Sequence, residues 1–146
     1  MSGTWLRALE HVHGHLGWLA TLALYHPAFL LRRPRRRAVG AVLAATALVT
    51  VTAAAGALIY PAYRAVVKPA IFAASPMVGD LFERKEHLGV AVVVLSWTGA
   101  AFHLGAREDP LDLRSSRVAF VAFVGAAVLA TLAAAMGSIV AVTKSF

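Results

Sequence analysis

Residues 118–142, Val-Ala-Phe-Val-Ala-Phe-Val-Gly-Ala-Ala-Val-Leu-Ala-Thr-Leu-Ala-Ala-Ala-Met-Gly-Ser-Ile-Val-Ala-Val, carry no charge. An uncharged apolar run of this length spans a membrane as a helix, because about 20 such residues cover the hydrocarbon core. Residues 38–60 repeat the pattern without a charged side chain. Backbone amides in hydrocarbon find no water, so both runs must be helical. The composition agrees. Hydrophobic residues make up 60% and charged residues 14% of the 146, and the mean hydropathy is +0.72. Soluble domains sit near half apolar and a quarter charged. A soluble enzyme, a disulfide scaffold and a disordered tail are excluded.

Two further runs extend the reading. Residues 11–31 begin with His11, His13 and His15 and continue to Leu31. A signal peptide has a basic N-region and a small-residue cleavage site. Here Arg7 and Glu10 cancel, the basic residues follow the run, and Tyr25-His26-Pro27 interrupts it. Residues 88–106 form another span, broken by Ser96, Thr98 and His103. The expectation is one all-α domain over 1–146, an integral membrane four-helix bundle. Its four transmembrane helices cover 11–31, 38–60, 88–106 and 118–142, and an outer loop covers 61–87. Pro61, Pro69 and Pro76 divide that loop into short pieces. Small residues such as Gly99, Ala100 and Gly125 are expected where helices touch.

Charge predicts the orientation. Arg32, Arg33, Arg35, Arg36 and Arg37 fill a short loop between two spans, and short basic loops stay cytoplasmic. The expectation is N-out and C-out in the bacterial inner membrane, with Arg32–Arg37 on anionic lipid headgroups. The net charge of +7 is then a membrane feature, and nucleic acid is not an expected partner.

Tyr60-Pro61-x-Tyr63-Arg64 followed by Leu81-Phe82-Glu83-x-Lys85-Glu86-His87-Leu88 resembles a pattern in small uncharacterised bacterial four-helix integral membrane proteins. It covers about thirty residues and implies the architecture, with no activity attached. Read from the residues alone, Glu83, Glu86 and His87 form a charged helix start at the headgroup level.

The six histidines are the candidate chemistry, since ionisable groups inside spans usually face a partner, cavity or cofactor. Spans one and three run the same way. His15 and His87 then share the outer level, and His26 and His103 the cytoplasmic one. This arrangement resembles the bis-histidine sites of membrane cytochromes b. It makes His26, His103, His15 and His87 candidate ligands of haem b, with electron transfer as the role. On an ideal helix His15 and His26 differ by about 20°, while His87 and His103 differ by about 160°, so one haem fits better than two. His11, His13 and His15 are candidate ligands for a divalent metal, His11 and His15 being four apart. Cysteine is absent, so no thiolate site exists. No nucleophile–base pair at a workable spacing, phosphate loop or dinucleotide fingerprint occurs, and no independent catalytic activity is expected. Transporter marks, charges within spans two to four or repeated broken helices, are missing. Two functions remain: a haem-binding electron-transfer subunit of a respiratory complex, or a non-catalytic structural subunit or assembly factor of a larger membrane complex. Both predict other membrane subunits as partners.

Overall fold

The computed structural model describes residues 3–33, 38–106 and 112–143, all but a few of them helical. Helix α1 is Gly3–Leu31 and α2 is Val39–Ala62. A π-helical turn, Tyr63–Val67, joins α2 to the short α3, Lys68–Ala74. Then come α4, Pro76–Gly105, and α5, Leu113–Thr143. Arg35, Arg36 and Arg37, which enter the charge argument, lie outside the described residues.

Three helical runs among the described residues are long and apolar enough to cross a membrane: Val39–Ala74, Pro76–Gly105 and Leu113–Thr143. Only 28%, 28% and 33% of their apolar windows are buried inside the bundle. Most of that apolar surface faces outward, where lipid solvates it without cost. Helix α1 falls below the same hydropathy measure, because Gly14, His15 and Gly17 at one end of its apolar stretch and Tyr25, His26 and Pro27 near the other dilute it.

Helix α1 packs beside α2 and α5, and α4 packs beside the same two. The four long rods therefore form a ring in which α1 and α4 are diagonal. The larger core is rich in alanine: Ala20 and Ala28 of α1, Ala45 of α2, Ala100 of α4, and Ala119, Ala126 and Ala127 of α5. Fully buried Phe123 is the largest side chain there. It lies on Gly99, where a Cβ would come within 2.8 Å of its ring. Lipid tails are as apolar as the core, so close backbone approach and dispersion hold such helices together.

The segment 61–87 is not a loop. The helix begun at Val39 continues through it to Ala74, breaks only at Ser75, and restarts at Pro76. Two local reasons account for this. Pro61 and Pro69 lack an N–H, and the turn between them relaxes to π spacing, with Lys68 N–H bonding to the Tyr63 carbonyl. The chain thus bypasses the missing donors without stopping. Pro76 sits at the first position of α4, where a missing N–H costs nothing, and Ser75 caps the start by accepting from the Val78 amide at 3.4 Å.

Length then places this hairpin. At 1.5 Å per residue, the 36 residues of Val39–Ala74 reach about 54 Å, against about 30 Å of hydrocarbon. The surplus, 61–87, stands beyond the apolar windows at one end and has its own core. Tyr63, Val67, Ile71, Val78, Phe82 and Val140 are buried together there. Tyr63 and Phe82 stack with centroids 5.2 Å apart, and Lys68 pairs with Glu83 at 2.8 Å.

Candidate functional site

The six histidines scatter. His11, His15, His26 and His87 are exposed, His13 is half-buried and His103 is buried. His103 points into the bundle from α4 at only 6% exposure, whereas His26 points away from it on α1. The two helices are diagonal. His26 and His103 therefore share a depth and not a cavity. His87 donates from Nδ1 to the Glu83 carbonyl, 2.8 Å away on its own helix, and faces outward, away from His15.

The outer histidines also part company. His11 and His15 are about 40° apart around α1, and His13 is on the opposite side. His13 enters the groove between α1 and α2, where Nδ1 donates to the Thr52 carbonyl at 3.1 Å. A carbonyl only accepts, so Nδ1 carries the proton. The ring fills the place of a side chain on Gly56, whose Cβ would lie 2.8 Å from it. Among the described residues no three His, Cys, Asp or Glu side chains gather as a metal-binding group. The expected His11, His13, His15 triad is thus reduced to the outward pair His11 and His15.

What the structure does assemble is a polar layer between the two cores. It draws on three helices. Glu10 and His13 come from α1, Tyr60 from α2, and Lys85 and Glu86 from α4. Tyr60 donates to Glu86 Oε2 at 3.4 Å. Half-buried Lys85 lays its chain across Gly137 of α5, with Cδ 3.4 Å from where a Cβ would stand. Its Nζ lies 5.3 Å from the Phe82 ring centroid, and Glu86 and Glu10 are its charge neighbours. Lys85 in turn acts on His13. The sequence alone reads Glu86, with Glu83 and His87, as a charged helix start at the headgroup level and assigns Lys85 no place. The available signal was that Glu10, Tyr60 and Glu86 fall at one depth once 61–87 is drawn as helix. With both signs present and every acid near a base, the layer holds the junction of the two cores by opposite charges in close range.

A second feature lies on the outside of α1. His11, His15, Trp18, Leu22, Tyr25, His26 and Phe29 fall within about 100° of arc, and all seven are exposed. Trp18 donates to Ser138 Oγ at 3.3 Å, and Tyr25 meets Thr131 Oγ1 at 2.9 Å. Both rings thus lean toward α5 and leave the histidines uncovered. Near the end of the stripe the Arg32 guanidinium sits over the Phe29 ring at 4.1 Å.

Comparison with known protein families, with curated proteins and with solved structures finds no match for this chain. The site must therefore be read from its own geometry.

Proposed function

We propose that the protein is a small polytopic membrane subunit with no catalytic activity of its own, which packs through the outward face of α1 against another membrane protein. One observation carries the reading: three imidazoles, those of His11, His15 and His26, are aligned on a face that the chain itself leaves open. The outward residues of α5 are instead Val121, Val124, Val128, Leu132 and Ile139, a surface suited to lipid. Polar groups at hydrocarbon depth are costly unless another helix meets them. In this reading α1 is the fourth span. Its support is the Thr52 hydroxyl bonding to the Leu16 carbonyl at 3.3 Å and the Tyr25–Thr131 contact, which keep α1 alongside the apolar runs. Arg32 and Arg33, beside a span end, favour N-out and C-out in a bacterial inner membrane.

The test is a photo-crosslinker placed at Leu22 or at Val128 in intact membranes. Leu22 should crosslink to one protein species and Val128 to lipid alone. Lipid adducts at both positions would overturn the reading.

A second reading keeps the haem, on the observation that His15 and His26 share the open face three turns apart. A b-type haem would then be held between α1 and a histidine of the neighbouring subunit, with Arg32 beside its propionates. A reduced-minus-oxidised spectrum of the intact complex should show a low-spin band that His26→Ala abolishes and His103→Ala leaves. A colourless complex from haem-replete cells removes this reading and leaves the first.

A further inference from the structure

Helices α4 and α5 flank an open surface groove of about 450 Å³. Leu95 and Thr98 form one wall, Val118 and Val121 the other, and Ala122 and Gly125 keep the floor low. Arg117 stands at its mouth, exposed, at the end of the bundle that also carries Arg32 and Arg33. From Arg117 to Gly125 the groove descends about 12 Å along the helix axis, parallel to the direction of a lipid tail. Apart from Thr98 and Arg117 its lining is apolar, so a hydrocarbon chain fits it and water does not. Arg117, the cation among the described residues that line the groove, supplies the complementary charge at headgroup height. Arg114, one turn earlier, does not line the groove, whereas Arg117 does.

We propose that this groove is a binding site for one anionic phospholipid, its acyl chain between α4 and α5 and its phosphodiester headgroup on Arg117. The site lies on the α4 side of α5, away from the side on which Trp18 and Tyr25 of α1 rest, and does not depend on what α1 meets. An occupant of this kind explains why α5 combines a low floor at Ala122 and Gly125 with a terminal arginine. The lipid replaces the side chains that would otherwise fill the gap, and it supplies dispersion contact along both helices.

The full chain, reconstituted in nanodiscs of equimolar phosphatidylglycerol and phosphatidylcholine and released for native mass spectrometry, tests this. Wild type should retain one lipid, with phosphatidylglycerol favoured about fivefold, the ratio that about 1 kcal/mol per basic residue gives at a membrane surface. Arg117→Gln should bring the ratio close to one while lipid is still retained. Gly125→Phe, which fills the floor, should lose retained lipid of both kinds. Arg64→Gln, an exposed arginine at the far end, should leave the ratio at the wild-type value. Helicity by circular dichroism, unchanged in all variants, separates lost binding from lost folding. Three results would overturn the proposal: a ratio of one in wild type, an undiminished ratio in Arg117→Gln, or an equal drop in Arg64→Gln. A crosslinker at Val121 that captures protein in place of lipid would overturn it as well.

Discussion

The two cores of this molecule obey different solvents. The larger one, from Leu31 and Ala38 up to Val49 and Val92, is assembled mainly from alanine and valine around Phe123. The smaller one, at the 61–87 end, stacks Tyr63 on Phe82 and surrounds them with Val67, Ile71 and Val78. The first lies within apolar windows, where a buried methyl gains packing and loses nothing by facing lipid instead. The second lies beyond them, where exclusion from water rewards large side chains. Between the two sits the layer of Glu10, His13, Tyr60, Lys85 and Glu86. Charge is placed where neither solvent is complete.

The contrast is most sharply tested by two truncations of the same residue type. Phe82→Ala should cost about 3–5 kcal/mol, the range for removing a buried ring in water with its cavity and transfer terms both present. Phe123→Ala should cost less, because only the packing term applies when the unfolded helix is still in lipid. Reversible unfolding in bilayers or mild detergent measures both. An equal or larger loss for Phe123→Ala would break the distinction between the cores.

The polar layer gives the next effect. Gly56→Leu puts side-chain atoms where the His13 ring lies, 2.8 Å from the new Cβ, and should cost about 1–3 kcal/mol as an overpacked contact. The double variant with His13→Ala should recover most of that loss. Recovery identifies the histidine as the clash; its absence would mean that α2 itself had shifted. Tyr60→Phe removes only the 3.4 Å bond to Glu86. Its expected cost is about 0.5–1.5 kcal/mol, readable in the same titration.

How far the sequence carries this comparison depends on the solvent too. The charge-free runs 38–60 and 118–142 are legible because lipid excludes charge at every position. The start of α4 at Pro76 and not at residue 88 was legible in principle, since Ser75-Pro76 is a cap followed by a first-turn proline and Val78 and Phe82 are four apart. The charges from Asp80 to His87 hid it, because they read as loop when only membrane-spanning helices are sought. The histidines show the deeper limit. Helical spacing correctly groups His11, His15 and His26 on one face and sets His13 opposite. It does not say which face is inward, because the lipid side of a membrane helix is as apolar as the core and leaves no amphipathic signal to orient it. The diagonal placement of α1 and α4, which separates His26 from His103, is a tertiary fact with no local signature. The layer of Glu10, Tyr60 and Lys85 joins residues of three helices, and its common depth is legible only once 61–87 is drawn as helix.

The smallest effect compares the two ends of the bundle through their helix starts. At the hairpin end Ser75 caps α4 with a neutral hydroxyl. At the other end Asp112 caps α5, accepting from the Ser115 amide at 2.9 Å. The Ser115 hydroxyl and amide, with Arg114 nearby, hold the Asp112 carboxyl below its ordinary value. A carboxyl with a lowered pKa in the folded state contributes its stabilisation above the unfolded-state value, and loses it as pH falls through the folded one. Protection of the first-turn amides of α5 against hydrogen exchange should therefore decline on acidification below the usual carboxylate range. That of the α4 start at Val78 and Gly79 should follow only the intrinsic exchange rate. Asp112→Asn retains an acceptor of similar capping strength and has no proton to gain, so the α5 start should become as insensitive to acid as the α4 start. If the acid response persists in Asp112→Asn, the cap is not its source, and the two ends do not differ in the way their capping residues imply.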